Sequence, residues 1–257
     1  MKRFLSVLFL TLLSHLFLFA TQSLGKLDFL RCEYLVTPLG VDVPTPRFSW
    51  RLPAHLNKQQ AYQVIVGTDS VAVANGTGGA WDSGKILSSE VLTVYAGKAM
   101  QPYTRYYWKV SVWDDANNNY TSAVSHFETG LMGMHNWKGS WISDTHDYRL
   151  KPAAYFRKAF DAGRKIRQAR AYIAVAGLYE LSINGTRVGD HRLDPAYTRF
   201  DRRTLYLTHD ITQLLQQGDN VVGVLLGNGW YNHQSTAVWN FDQAPWRGRP
   251  KFCMDIR

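Results

Sequence analysis

Two stretches in the first half of the chain alternate apolar and polar residues, as strands with one buried face do. Phe48, Trp50 and Leu52 share one face of residues 47–52. Residues 105–113 place four apolar side chains on one face, namely Tyr106, Trp108, Val110 and Val112. Short strands separated by polar turns over about 100 residues are typical of a β-sandwich. The pattern therefore predicts a first β-sandwich domain over residues 26–130.

The second half, residues 131–257, is also predicted to be rich in strands. Apolar or alternating segments predict strands at 153–160, 170–176, 178–183, 221–226 and 252–256. Asn184-Gly185, directly after the strand at 178–183, is a strong hairpin signal. Asp210 and Gln213 have the spacing of a capping box and predict one short helix over residues 211–217. The last segment has no partner after it, so we expect an unpaired edge at 252–256 and an incomplete domain.

Composition supports an all-β fold class. The chain has only four Glu, at positions 33, 90, 128 and 180, whereas helix-rich proteins use Glu freely. Aromatic residues make up 14% of the chain, and they favour strands or sugar-binding surfaces. The two cysteines, Cys32 and Cys253, are too few for a disulfide scaffold, and we expect them to be unpaired small residues.

The N-terminus has the pattern of a secretion signal. Lys2 and Arg3 precede an apolar run over residues 4–20, and Ser23-Leu24-Gly25 offers a cleavage site of small residues. A membrane anchor is the alternative, but the run is short for a spanning helix, which needs about 20 apolar residues. We therefore expect residues 1–25 to be removed, the protein to be exported to the periplasm or the extracellular space, and no stable membrane insertion.

Charge is distributed unevenly between the two predicted domains. Residues 26–130 are neutral overall, whereas residues 131–257 carry a net charge of +7. A basic half can bind nucleic acid, an anionic membrane or an acidic polymer. No nucleic-acid motif is present, and an exported protein rarely meets nucleic acid. A solvated basic surface is the simplest interpretation, and an anionic glycan is the next one.

The sequence offers no catalytic constellation of its own. It has no nucleophile elbow, HExxH, Walker or Rossmann motif. Glycosidases need a pair of carboxylates, and none of the acids forms a convincing pair. Catalytic residues are therefore predicted to be absent, and metal ligands stay undetermined.

A long loop that follows the strand at 221–226 concentrates aromatic and amide residues. It contains or adjoins four rings and four polar side chains: Trp230, Tyr231, Trp239, Trp246, Asn228, Asn232, Asn240 and Asp242. Flat rings stack on the C–H faces of sugars, and amide or carboxylate groups bond the hydroxyls. The same rings could instead cover the end of the sandwich or pack on another domain. Both interpretations remain open.

Several motifs of the first domain resemble the N-terminal fibronectin-like module of bacterial α-L-rhamnosidases. They are Pro46-Arg47-Phe48-Ser49-Trp50, Ala61-Tyr62-Gln63-Val64, Trp81-Asp82-Ser83-Gly84-Lys85, Tyr107-Trp108-Lys109-Val110 and Val112-Trp113-Asp114. The resemblance implies a fibronectin type III-like β-sandwich over residues 26–130.

The second domain is similar to the jelly-roll module that follows in that family. The matching motifs are Gly177-Leu178-Tyr179-Glu180, Asn184-Gly185, Val188-Gly189-Asp190, Leu193-Asp194-Pro195, residues 206–212 and Leu226-Gly227-Asn228-Gly229-Trp230-Tyr231. The resemblance implies a jelly-roll β-sandwich, truncated at its C-terminal end. Taken together, the motifs span essentially the whole chain after residue 25, and their combined order is specific.

The family resemblance also implies a function and a ligand. Complete α-L-rhamnosidases hydrolyse terminal α-L-rhamnose with inversion, using two Glu on an (α/α) barrel that follows the region seen here. In some members the jelly roll binds rhamnose with a calcium ion, so calcium is a possible cofactor and rhamnose-containing glycans are the expected partners. The candidate carbohydrate-binding residues are Asp190, Asp194, Asn228, Trp230, Tyr231 and Trp239.

Two functions from different classes remain. The chain is expected to be either the non-catalytic N-terminal portion of an exported α-L-rhamnosidase or a stand-alone secreted carbohydrate-binding or adhesion protein. In the first case its partner is the catalytic barrel of the same polypeptide.

We predict that this 257-residue chain alone does not hydrolyse rhamnosides, because it offers no carboxylate pair to protonate the leaving group and activate water. The measurement is release of the aryl alcohol from an aryl rhamnoside by the purified chain. Turnover that disappears when one of its own acids is replaced would contradict the prediction.

Overall fold

The computed structural model describes residues 27–236 and 238–257, which form two compact units. The first unit comprises residues 27–36, 45–98 and 106–126, and the second comprises residues 37–44, 99–105 and 127–257. Antiparallel strands dominate both units, so the predicted all-β fold class is confirmed. The predicted secretion signal lies outside the described residues. Within those residues, no helix combines the length and the apolar character that crossing a membrane requires.

The strands of the first unit form two antiparallel sheets. The strands are β1 (Asp28–Cys32), β2 (Arg47–Arg51), β3 (Ala61–Gly67), β4 (Trp81–Asp82), β5 (Ile86–Leu87), β6 (Leu92–Val94), β7 (Arg105–Trp113), β8 (Asn119–Thr121) and β9 (Ser125–Glu128). One sheet has the order β1-β2-β6 and the other β4-β3-β7-β8, with β5 also beside β3 and β9 beside β7. A short helix of five residues, α1 (Ser70–Ala74), begins after Asp69. The Asp69 carboxylate caps it by accepting a hydrogen bond from the Val71 amide at 2.8 Å.

The predicted apolar faces do form the core of the first unit. Phe48 and Trp108 are fully buried, and their ring centroids lie 4.6 Å apart between the two sheets. Tyr106, Val110 and Val112 are buried beside Trp108, as the alternation along β7 requires. This packing of a large ring from each sheet is the face-to-face packing of a β-sandwich.

Two four-stranded antiparallel sheets form the second unit. Its strands are β10 (Ile142–Ser143), β11 (Ala154–Ala162), β12 (Arg170–Ala176), β13 (Leu178–Ile183), β14 (Thr186–Arg187), β15 (Tyr206–Asp210), β16 (Gly218–Gly227) and β17 (Lys251–Ile256), with 3₁₀ segments at Met134–Asn136 and Val238–Gln243. The sheets have the orders β10-β17-β12-β15 and β11-β16-β13-β14. Their facing apolar residues form one core, which includes Ile173, Leu181, Ile183, Val224 and Leu226.

The predicted Asn184-Gly185 hairpin is present between β13 and β14. Ile183 pairs with Thr186, and Asn184 and Gly185 both have positive φ, at 50° and 80°. A two-residue turn of this kind matches the right-handed twist of the flanking strands, and Asn-Gly adopts it at low cost.

The expectation that residues 252–256 lack a partner was wrong: β12 pairs along the whole strand, although β10 on the other side pairs only with Lys251 and Phe252. β17 lies inside its sheet, with β10 on one side and β12 on the other. Phe252 and Cys253 are buried on opposite faces of the strand. The local sequence pattern could not predict this pairing, because both partner strands of β17 lie far earlier in the chain. Cys253, like Cys32, is free and buried, as predicted.

The predicted helix at 211–217 is also absent from the described residues, which have turns there. Asp210 accepts a hydrogen bond from the Thr212 amide at 3.0 Å, as a helix cap would. The backbone groups around this turn, however, bond to residues outside the predicted helix. The Ile211 amide donates to the Ala169 carbonyl, and the buried Asn220 side chain bonds both the amide and the carbonyl of Gln216. These tertiary bonds outweigh the weak intrinsic helicity of seven residues.

A buried ion pair fixes the start of β12. Glu128 and Arg170 are each almost fully buried, and Arg170 binds both carboxylate oxygens, at 2.7 and 2.8 Å. Arg105 adds a third bond to the same carboxylate at 2.7 Å. Burial raises the pKa of Glu128, but the hydrogen bonds from Arg170 and Arg105 outweigh it and hold the pKa below its usual value. Glu128 is therefore a charged structural anchor rather than an available acid.

Arg249 joins three strand ends in the second unit. It lies just before β17 and binds both carboxylate oxygens of Asp144, which follows β10, at 2.8 and 2.6 Å. It also donates to the carbonyls of Leu150 and Pro152, just before β11. The Arg249 hydrogen bonds lower the pKa of Asp144 to about 2. We call these contacts the Arg249 anchor.

Two asparagines bind the same 144–152 segment from the other side. Asn232 is fully buried and donates to the Tyr148 carbonyl at 2.7 Å and to the Asn228 oxygen at 2.9 Å. Asn228 in turn donates to the Lys151 carbonyl at 2.7 Å. Side chains of the long loop after β16 therefore satisfy the backbone carbonyls of Tyr148, Leu150, Lys151 and Pro152 in this segment.

A tyrosine–histidine hydrogen bond bridges the two sheets of the second unit. The Tyr179 hydroxyl in β13 lies 2.7 Å from Nε2 of His209 in β15. Burial lowers the pKa of His209, and the negative charge of Asp194 opposes this only in part, while His191 adds to the lowering. The folded protein therefore favours neutral His209.

The free energy of unfolding of the second unit should fall as the pH drops below about 6.5. The folded pKa of His209 lies below its ordinary value of 6.5, so the unfolded chain binds the proton more tightly and the stabilisation is lost as pH falls through the folded pKa. Urea unfolding between pH 7 and pH 5 measures this. His209→Gln should unfold with a smaller pH dependence; equal slopes in the two proteins would contradict the assignment.

Asp144→Asn should destabilise the second unit by about 3 kcal/mol, because it leaves the buried Arg249 guanidinium without its counter-ion. Thermal unfolding measures the loss, and trypsin should cut faster after Arg149 in the released segment. Asp147→Asn is the matched control, since Asp147 is exposed in the same segment and an Asn oxygen can still accept the Arg149 amide. Equal stability of the two variants would refute the role of the anchor.

Candidate functional site

The loop between β16 and β17 gathers its rings into one cluster around Phe241. The Phe241 ring is buried, and four rings lie within 6.0 Å of it between centroids: Tyr197, Trp230, Trp239 and Trp246. Trp230 remains 46% exposed and Trp239 70% exposed. The cluster thus has a buried centre and presents two indole rings to solvent. We call this region the indole surface.

The backbone at Trp239 is strained. Trp239 and Asn240 have φ of 72° and 51°, in the left-handed region. Asn tolerates this region, but a bulky residue such as Trp adopts it at a cost of about 1–3 kcal/mol. Trp239 is therefore exposed in an unfavourable backbone conformation, with its ring against Phe241. Such outliers concentrate at functional sites.

A shallow cleft of 390 Å³ lies beside the Trp230 ring. It is lined by Leu178, Leu193, Pro195, Tyr197, Gly229, Trp230 and His233. Leu193 and Tyr197 are exposed, and Leu193 has a positive φ of 61°. The volume lies within the range of about 300–1,000 Å³ that is usual for small-molecule sites. The cleft is thus apolar, half-open and rimmed by rings.

Two of the predicted binding residues have packing contacts in the structure. Tyr231 is buried, and its ring packs edge-on against Phe200 at 5.3 Å. Asn228 engages its amide with Lys151 and its oxygen with Asn232, in support of the 144–152 segment. Trp230 and Trp239, by contrast, have large exposed faces.

The predicted aspartates lie near His191. Asp190 is almost fully exposed, with its carboxylate 3.8 Å from the His191 ring, and Asp194 is partly buried at 3.4 Å from the same ring. Among the described residues, no group of three or more His, Cys, Asp or Glu side chains is placed to hold a metal ion. The calcium ion stays a prediction.

Sequence reasoning missed the part of the indole surface that comes from residues 193–200. The long loop begins after Gly227, more than 25 residues after Phe200, so no local pattern links Leu193, Tyr197 and Phe200 to it. The sequence did contain a partial signal for this contribution. Apolar residues follow the Leu193-Asp194-Pro195 motif without the alternation of a strand, which is typical of an exposed loop. Phe241 was also missed, since a buried ring inside a polar loop reveals its role only through its neighbours.

Two family matches cover most of the described chain. Residues 27–133 match the family described as the Rha78A-like, N-terminal immunoglobulin domain. Residues 164–257 match the family described as the alpha-L-rhamnosidase N-terminal domain. The two matches follow the order in which the two sandwiches occur.

Individual proteins similar to this chain are also named alpha-L-rhamnosidase. The chain is 34% identical over 220 residues to an alpha-L-rhamnosidase of Formosa agariphila, which covers 76% of this chain and 23% of that protein. Among solved structures, an alpha-L-rhamnosidase from Dictyoglumus thermophilum has 39% identity and a TM-score of 0.80, and the match covers 90% of this chain and 27% of that one. The enzyme from Aspergillus terreus has 25% identity and a TM-score of 0.76, with the same coverage.

The chain spans about a quarter of the length of these relatives. The described residues contain no helical barrel, since their only α-helix has five residues. Both matched families are N-terminal domains, and they follow one another along the sequence. The chain is therefore an N-terminal region of the α-L-rhamnosidase family, made of its immunoglobulin-like domain and its N-terminal β-sandwich.

Proposed function

We propose that the chain is the accessory, non-catalytic portion of an exported α-L-rhamnosidase and that its second unit binds rhamnose-containing glycans. The catalytic step belongs to a helical barrel of the same polypeptide, which removes terminal α-L-rhamnose. The matched N-terminal families and the name shared by the relatives support this assignment. Export rests on the signal pattern of residues 1–25.

The indole surface is the observation that carries glycan binding. An exposed Trp is expensive in water, and Trp239 is both exposed and held in a strained backbone conformation. Indole faces stack on the C–H faces of pyranose rings, and rhamnose adds an apolar methyl group in place of a hydroxymethyl. The cleft beside Trp230, with Leu193 and Tyr197 on its rim, offers an apolar seat for that methyl group.

Polar groups at the edge of the cleft can orient the sugar. The His233 ring lies 5.3 Å from the Trp230 ring, and Asp194 keeps part of its carboxylate in contact with solvent. Sugar hydroxyls can donate to or accept from these groups. A calcium ion would need six or more oxygen ligands. Asp190, Asp194 and Asn228 would supply some of them, and sugar hydroxyls and water the others.

The alternative function is that of a stand-alone adhesion protein. Such a protein would use the same glycan-binding surface but would have no catalytic barrel. Matches to two N-terminal enzyme domains in the family order favour the enzyme portion. The remaining rival for the indole surface is that Trp230 and Trp239 pack on the barrel. The experiment below separates that role from sugar binding.

Trp230→Ala and Trp239→Ala should each weaken binding of a rhamnose-terminated oligosaccharide by about 1 kcal/mol or more, which is about fivefold in Kd. The lost stacking area is the cause. Titration calorimetry of the chain measures this, in calcium and again in chelator. A gain of affinity in calcium would support an ion at Asp190, Asp194 and Asn228.

Tyr155→Ala is the matched control, because Tyr155 is a strongly exposed ring on β11 in the same unit. Its removal should leave the affinity unchanged. If no rhamnose-bearing glycan binds, or if the two tryptophan variants bind as the wild type does, the indole surface is an interdomain contact and the proposal fails.

A further inference from the structure

A second cleft in the second unit lies on the outer face of the sheet that contains β12, β15 and β17. It has a volume of 580 Å³. The sheet supplies its floor with Ala174, Tyr206 and Cys253, while residues 131–141 form one wall and residues 200–204 form the other. None of the predicted binding residues lines it. The volume is that of a small-molecule site.

Aromatic rings line this cleft on two sides. Trp137 packs edge-on against Tyr206 at 5.9 Å, and its indole N–H donates to the Cys253 sulfur, so this ring is held in place. Trp141 stands at the rim and is 48% exposed. The ammonium of Lys251 lies 5.5 Å from the centre of the Trp141 ring. The cleft therefore combines one fixed ring, one exposed ring and a cation beside the exposed ring.

The acidic groups of the cleft are already engaged. Asp42 accepts the Tyr206 hydroxyl and the Met132 amide, each at 2.8 Å. Asp201 uses both oxygens to bind Arg199, at 2.9 and 3.0 Å. These carboxylates are consequently poor partners for any further cation in the cleft.

The basic groups of the cleft are not engaged in the same way. Arg202 and Arg203 are exposed, and among residues 27–236 and 238–257 neither guanidinium has a side-chain hydrogen bond or an ion pair. Their backbone amides both donate to the Arg199 carbonyl at 2.9 Å, so a tight turn fixes where the two side chains begin. Two adjacent guanidinium groups on a fixed turn can bind a carboxylate with several parallel hydrogen bonds.

We propose that this cleft binds a carboxylate-bearing saccharide, a uronic acid residue within a glycan chain. Trp141 stacks on the sugar ring, and Arg202 and Arg203 bind its carboxylate. Lys251 adds positive potential at the opposite rim, in a half of the chain that carries a net charge of +7. The assignment extends the proposed function to a second surface and a second sugar, and it does not require the indole surface to bind rhamnose.

Phe200 connects the two surfaces. It lines this cleft and also packs against Tyr197 of the indole surface at 5.9 Å between ring centroids. A glycan chain that carries both rhamnose and uronic acid could therefore contact both surfaces of one molecule. Occupying both raises the effective concentration at the second surface once the first is bound.

The test compares trigalacturonic acid with its methyl ester, two probes of the same shape of which only the acid is charged. In low salt the chain should bind the acid at least tenfold more tightly than the ester, and added salt should reduce that preference. The double variant Arg202→Ala/Arg203→Ala should abolish the preference for the acid. Trp141→Ala should weaken binding of both probes.

Two controls decide what a loss of binding means. Arg164→Ala/Arg167→Ala removes the same charge from exposed residues outside the cleft and should leave the preference for the acid intact. Tyr155→Ala, which removes an exposed ring from β11, should not change the affinity for either probe. Equal binding of acid and ester, or equal losses in the two double arginine variants, would overturn the proposal. Failure of rhamnose to bind at the indole surface would not affect this result.

Discussion

The Arg249 anchor is the contact on which the candidate surfaces of the second unit depend. One guanidinium binds a carboxylate after β10 and two carbonyls just before β11, while its own backbone leads into β17. Because Arg249 is almost fully buried, its charge needs a partner, and its bonds to Asp144, Leu150 and Pro152 bring these strand ends together. The long loop that bears the indole surface ends at this residue. Its course is therefore set by an electrostatic requirement rather than by local backbone preference.

The two surfaces differ in how their aromatic residues are placed. Around Phe241, several rings surround a buried centre, and the excess area of Trp230 and Trp239 is left in water. On the outer face of the β12 sheet, Trp137 and Tyr206 pack on each other and leave a hollow instead of a protrusion. Protruding rings suit one face of a sugar, whereas a hollow with charged walls suits a sugar with a charged substituent.

Local signals were sufficient for the strands and insufficient for their order. The alternation in β7 and the Asn184-Gly185 turn depend on neighbours within a few residues, and both were predicted correctly. The place of β17 in its sheet depends on β10 and β12, which no short window contains. The helix expected at 211–217 failed for a related reason, because Asn220 and Ala169 capture its backbone groups from outside the window. The same limit applies to the sites: Trp230 and Trp239 were visible as loop aromatics, whereas the cleft with Arg202 and Arg203 exists only where three distant segments meet.

The interior position of β17 has a consequence for how the second unit is made. β10 and β12 lie in one sheet but do not pair with each other. Both pair with β17, which is synthesised after the other described strands of the second unit. Until residues 251–256 have emerged, each of these strands presents an open edge, and the apolar side of β12 lacks a neighbour. Contacts of such long sequence separation form slowly, so the unfinished sheet persists during translation.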